Sequence, residues 1–242
     1  MALLVVENVT KDFGGLRAND HISFQVKEGE LVGLIGPNGA GKTTLFHCIT
    51  GHHRVTSGRV IFNGREITNL DPHQIARKGL ARTFQVYAAT GDLNVLEYVM
   101  VGTFMRTKSP LKAKQKALRV LEDMGLRDWS QRMVSEIPVP AQKLVTMAVA
   151  VATEPKLLLL DEVAAGLNPT EVEEVKETIS RLNREMGITI ILIEHVMALV
   201  MGLSQRVIVL DAGRKIAEGL PHEVVQDPVV IKAYLGEKRG EM

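Results

Sequence analysis

Residues 31–44 read LVGLIGPNGAGKTT. An unbroken apolar run stops at Gly36, and the loop that follows fits G-x-x-x-x-G-K-[ST] over residues 36–43. A run of this kind suits a strand buried on both faces of a parallel sheet. A strand, a glycine loop and then a helix is the setting in which this pattern cradles phosphate. Glycines let the backbone close round the anion, and its N–H groups and the helix N-terminus supply fixed positive potential. The stretch Gly36, Pro37, Asn38, Gly39, Ala40, Gly41, Lys42, Thr43 and Thr44 is therefore expected to bind a nucleoside triphosphate. Lys42 would reach the β- and γ-phosphates and Thr43 would ligate Mg²⁺.

Outward from this loop the chain alternates strands and helices. LLVVENV, HISFQVKEG (21–29) and RVIFNGREI (59–67) read as strands ending at Gly or Asn punctuation. KLLLLD (156–161), ITIILIE (188–194) and RVIVLDAG (206–213) follow with helical patterns between them, which predicts βα units and a parallel or mixed sheet. After LLLLDE, Asn168 can N-cap a helix with Pro169 at its first position, Glu171 in the first turn, Arg181 and Arg184 near the end and Gly187 closing it. Residues from about 86 to 136 have few strand signals and read as an inserted helical unit.

The 242 residues are 45% hydrophobic and 24% charged, with net charge +1. That length and balance fit a globular chain of one large domain, or of a core domain with a smaller inserted one, and give no basic field for a nucleic-acid partner. One cysteine, Cys48, leaves no internal disulfide and fits a reducing compartment. MALLVVENVT has no basic start, and ITIILIEHVMALVMGL is interrupted by Glu194 and His195, so neither a leader nor a membrane span is expected. A cytoplasmic location follows, with membrane contact only through a partner.

LLLLDE (157–162) ends a buried strand in two carboxylates. Asp161 can hold Mg²⁺ and Glu162 can polarise an attacking water. His195 ends the next strand, and a γ-phosphate role for it comes only from the other motifs around it. Taken alone it reads as structural. Gln85, in ARTFQ, gains meaning only from its order in the chain.

That order carries a resemblance. The phosphate loop at 36–43, Gln85, a helical insert, LLLLDE, AGLN and His195 together resemble the ATP-binding subunit of an ABC transporter over nearly the whole chain. The resemblance implies an α/β P-loop fold: a mixed-sheet core with an N-terminal antiparallel β part and an inserted helical subdomain. The core would span residues 1–85 and 155–242, and the insert 86–154. Gln85 would then be a metal and water ligand, and Glu162, His195, Lys42 and Gln85 would act on ATP. Phe13, in KDFGGLRA, matches the adenine-stacking aromatic, although alone it reads as core. GLARTFQ, DLNVLEYVMVG, AAGLNP and DPVVIKAYLGE look like the branched-chain amino-acid importer subfamily. Permease subunits and a second ATPase subunit are the implied partners, with ATP held between two cassettes. The groove near Gln85 would receive a permease helix, on the cytoplasmic face of the membrane. The alternatives are a soluble ABC-type ATPase that remodels a macromolecule, and an ATP-binding regulatory subunit with little hydrolysis.

One stretch departs from the pattern. Where the family carries LSGGQ, this chain has Ile137, Pro138, Val139, Pro140 and Ala141. Pro138 has no hydroxyl and Pro140 no N–H to offer the partner's γ-phosphate. Hydrogen bonds to charged groups are worth about 1.5–3 kcal/mol, so two independent losses weaken a closed dimer by about 3–6 kcal/mol. A homodimer would carry this handicap at both sites, and a heterodimer with an intact signature at only one. The heterodimer is the preferred reading. Val163 stands where the family usually has proline, and Asn168 where it usually has aspartate. His52 and His53 read as solvated turn residues, Cys48 as a small buried hydrophobe, and KSPLKAKQK (108–116) as a solvated helix face.

Overall fold

In a computed structural model, which describes residues 1–83 and 93–235, LVGLI becomes strand β3 (Leu31–Ile35), every residue of it buried. Around it lie β6 (Leu80–Arg82), β7 (Leu157–Asp161), β8 (Thr189–Ile193), β9 (Arg206–Asp211) and β10 (Arg214–Gly219). Their order is β10-β9-β3-β8-β7-β6, and only β10 runs antiparallel to its neighbour. Leu157 to Leu160 have no exposed surface. At about 1.5–3 kcal/mol for each fully buried leucine, β7 is among the firmest anchors of the sheet.

Register decides where the chemistry falls. Leu34 pairs with Ile193, Ile193 with Asp161, and Ile35 with Val209. The carboxyl ends of β3, β7 and β8 are therefore level, and the segments after them leave the sheet side by side. In open α/β sheets this edge is where ligands bind.

A second sheet, order β2-β1-β4-β5, is antiparallel and made of β1 (Ala2–Phe13), β2 (Leu16–Lys27), β4 (Ser57–Phe62) and β5 (Arg65–Glu66). Two details differ from expectation. HISFQVK starts at Leu16 rather than His21, because Gly14 and Gly15 turn the chain directly after Phe13. RVIFNGREI is a hairpin, not one strand: Asn63 and Gly64 both take positive φ, the geometry of a two-residue hairpin turn. Leu4, Ile22, Phe24 and Phe62 of this sheet share a core with Val32, Leu159 and Ile191 and with Phe46 of helix α1 (Lys42–Ile49).

On the far face, α6 (Pro169–Arg184) packs Val175, Ile179 and Leu182 inward. Its N-terminus is built as the sequence predicts. Asn168 Oδ1 accepts from the Thr170 and Glu171 N–H groups at 3.0 and 3.1 Å, and Glu171 accepts from the Asn168 N–H at 2.8 Å. Helices α3 (Val95–Thr103), α4 (Pro110–Asp123) and α5 (Val139–Ala152) form the helical portion. At Gly102 a Cβ would collide with the Val149 carbonyl, so glycine there lets α3 lie against α5. The short helices α2 (Pro72–Arg77), α7 (Met197–Leu203), α8 (Pro221–Val224) and α9 (Pro228–Leu235) complete the described chain. Among the described residues no helix is long and apolar enough to cross a membrane.

Candidate nucleotide site

The level ends of β3, β7 and β8 open on a cleft of about 610 Å³. Phe13, Asn38, Gly39, Lys42, Thr43 and Thr44 line it together with Glu162 and His195. Two glycines of the loop are required sterically. Gly36 has φ +150° and Gly41 φ +94°, and a Cβ at either would strike a carbonyl, that of Leu210 or of Ala18. Asn19, fully buried, donates to the Gly41 carbonyl at 3.0 Å and the Gly213 N–H donates to the Ala40 carbonyl at 3.2 Å. The loop is thus fixed from both the antiparallel sheet and the β9–β10 hairpin.

Lys42 is buried and folds back over the loop, donating to the carbonyls of Gly36 at 2.7 Å and Pro37 at 2.9 Å. Burial lowers the pKa of its ammonium, against the opposing pull of Glu162 and Asp161. Asp161 is buried. Arg82 on the edge strand β6 reaches its Oδ2 at 2.6 Å, and its N–H donates to Thr83 Oγ1 at 3.2 Å. Desolvation raises the pKa of the Asp161 carboxyl, and Arg82 counters it. Its other oxygen, Oδ1, is buried with no hydrogen-bond partner among the described residues. A buried, unpartnered carboxylate oxygen is the kind of hard donor that suits Mg²⁺.

Glu162 adopts φ +52°, a left-handed conformation uncommon for a residue with a side chain, and its N–H donates to the Ile193 carbonyl at 2.9 Å. This turn aims its carboxylate at the cleft, where Oε1 lies 3.0 Å from His195 Nε2. The two side chains named separately from the sequence are in direct contact. Phe13 is 42% exposed at the rim, so the reading of it as core is corrected. Lys11 Nζ sits 4.5 Å from its ring centroid and the His53 ring meets its edge at 5.1 Å. Gln85 lies outside the described residues.

His52 is exposed and His53 half-buried on the bend after α1, in line with solvated turn residues, and both also have partners: His53 Nε2 is 3.1 Å from His47 Nδ1, and His52 Nδ1 is 2.9 Å from Thr50 Oγ1. Cys48 is buried, and burial pushes its thiol up to about 11, which keeps it unreactive. Lys112 and Lys114 lie on the exposed side of α4, as a solvated face requires.

Sequence reasoning did not single out Arg82, Lys143 or Glu194 as site residues. Glu194 interrupts an otherwise apolar run of sequence, just past the end of β8, and that was the available signal. The partners of Arg82 and Lys143 lie 79 and 22 residues away, beyond any local pattern.

The Pro-bearing stretch sits at the start of α5. Pro138 is the N-cap, Val139 the first helical residue and Pro140 the second, where an N–H has no helical partner in any case. Ile137 is buried and its carbonyl accepts from Gln142 Nε2 at 2.9 Å, while Pro138 and Val139 face outward. A second cleft, about 590 Å³, separates β6 and α2 from α3 and α5. Ile75, Leu80, Tyr98, Met105 and Val149 line it, with Arg82 among its polar residues.

A glycine loop, a buried aspartate and a Glu–His pair on one sheet edge define a P-loop nucleotide-binding cassette. The chain belongs to the ABC transporter family, whose pattern it matches over residues 19–165, and its residues 214–239 match the C-terminal segment of branched-chain amino acid ATP-binding cassette transporters. It is 40% identical over 250 residues to the high-affinity branched-chain amino acid transport ATP-binding protein LivG of Salmonella typhimurium, covering 97% of this chain and 98% of that one. It is 38% identical to BraF of Pseudomonas aeruginosa with the same coverage. Two crystal structures, a nucleotide-free cassette from an ABC transporter and the ADP conformation of the cassette MJ1267, superpose with TM-scores of 0.90 and 0.89 at 33% identity. Each comparison covers 98% of this chain and all of the other. The chain is the ATP-binding, ATP-hydrolysing subunit of an ABC transporter.

Proposed function

We propose that this subunit hydrolyses Mg-ATP to drive import of branched-chain amino acids through a membrane permease, working from the cytoplasmic face of the membrane. The observation that carries the reading is the contact between Glu162 and His195 at the mouth of the phosphate loop. In it Glu162 accepts a hydrogen bond from the lytic water and orients it, while His195 faces the γ-phosphate and holds the Glu162 carboxylate in place. Lys42 neutralises phosphate charge, and the N–H groups of residues 38–44 bind phosphate oxygens. Asp161, Thr43 and Gln85 would hold Mg²⁺, which when bound offsets charge on the phosphates. Phe13 would stack on adenine.

In this reading residues 1–85 and 155–242 are the nucleotide core and 86–154 the helical lobe. The apolar cleft between β6 and α5 takes a cytoplasmic helix of the permease. A second ATPase subunit with an intact signature completes the site on this chain's phosphate loop, since Pro138 and Pro140 offer a partner's ATP neither hydroxyl nor N–H. The test is reconstitution with the permease and binding protein in vesicles. ATP-dependent uptake of leucine, isoleucine or valine that Glu162→Gln abolishes is expected. ATP turnover that none of these substrates stimulates would contradict the reading.

A further inference from the structure

The turn that carries Glu162 is held by two side chains with no assigned role. Glu194, 1% exposed, lies one residue past the end of β8 and turns its carboxylate under the neighbouring segment. Its Oε1 accepts the Ala164 N–H at 2.7 Å, and its Oε2 accepts the His195 N–H at 3.3 Å. One buried carboxylate thus ties the residue two beyond Glu162 to His195 itself. From the other side, the Lys143 ammonium on α5 donates to the Ala165 carbonyl. Glu194 and Glu162 are the anionic groups that bear on that ammonium.

We propose that Glu194 and Lys143 are positioning residues that clamp the 162–167 turn, so that the placement of α5 is passed to Glu162 and His195. Three features support this. Glu162 holds a positive φ, which persists only where surrounding contacts fix it. The Ala164 N–H and the Ala165 carbonyl belong to adjacent residues, and each is taken by a charged side chain from a different element. Charge-assisted hydrogen bonds are the stronger class, and burial strengthens the Glu194 pair. Finally, Lys143 lies on the helix that Pro138 caps and whose first turn holds Pro140, so any movement of that end by a second subunit would displace the Lys143 anchor. The inference rests on the assignment of Glu162 as the residue that orients water.

The test has two arms. On the full chain without nucleotide, hydrogen exchange is followed over residues 162–168. Glu194→Ala should speed exchange at Ala164 by about tenfold or more, and Glu194→Gln, which keeps an acceptor oxygen, should restore most of the protection. Turnover is then measured in the assembly that hydrolyses ATP, either the chain alone or the transporter complex. Lys143→Met should lower kcat by about 10- to 100-fold with ATP affinity within about twofold, and Lys143→Arg should recover most of it. Unchanged Ala164 exchange in Glu194→Ala overturns the clamp, as does a Lys143→Met variant with wild-type kcat. Equal loss of kcat and of ATP affinity also overturns it, because that marks a general structural defect. If Glu162→Gln fails to abolish turnover while the exchange results hold, the fault lies with the Glu162 assignment and not with the clamp.

Discussion

Glu162 shows how a single backbone torsion places a carboxylate at the mouth of a cleft. Its left-handed φ turns the chain off β7 so that the carboxylate meets His195 instead of following the strand into the core. Replacing Glu162 by glutamine keeps the shape and removes the charge. The expected outcome is ATP binding within about twofold of wild type and turnover lower by about 100-fold or more, checked by equilibrium binding and phosphate release. A different residue contributes to acid sensitivity. Burial first, then Arg82, His53 and His52, hold the His47 imidazole down to about 4 from its usual 6.5. His47 therefore binds fewer protons in the folded chain than in the unfolded chain inside that window. The contribution of His47 to stability is complete above pH 6.5 and is lost as pH falls towards 4. In His47→Gln, melting temperature should fall less steeply than in wild type over that window, and parallel curves would remove His47 from the account.

At the scale of elements, the caps and the buried strands were legible because their causes are local. Asn168, Pro169 and Glu171 are three residues of one turn, and the capping box they predict is the one observed. Asn168→Ala should cost about 1 kcal/mol, lowering the melting temperature by a few degrees with ATP affinity unchanged. Strand β7 was readable from four leucines and β3 from an apolar run ending in glycine. The contacts of Arg82 with Asp161 and of Glu194 with Ala164 were not readable. They arise only when the register sets β6, β7 and β8 side by side, and nothing within either short segment names the other. Phe13 was misjudged when taken alone for the same reason. Its exposure depends on the Gly14–Gly15 turn and on where the antiparallel sheet meets the phosphate loop.

At the scale of the whole molecule, the proposed function puts two halves of a shared site at different places on one chain. The phosphate loop, Asp161, Glu162 and His195 gather at the sheet edge, while Pro138 and Val139 stand outward at the start of α5, where the family's signature would face a second cassette. The fold accommodates both prolines without strain, because the first turn of a helix has no internal use for the missing N–H. On the proposed pairing of two cassettes, the consequence falls on the partner's ATP. A pair of these chains would lack the signature contacts at both sites, and a pairing with a cassette bearing serine, glycine and glutamine would lack them at one.

The most direct measurement compares Mg-ATP hydrolysis by the purified chain across a range of protein concentrations with that of a repaired variant, Pro138→Ser, Pro140→Gly and Ala141→Gln, using Glu162→Gln as the blank in each. The account predicts that the wild-type chain alone binds ATP but turns over little above its blank. The repaired chain should show a rate per chain that climbs with concentration and exceeds wild type by about tenfold or more. A wild-type rate that already climbs with concentration and equals that of the repaired chain would contradict it.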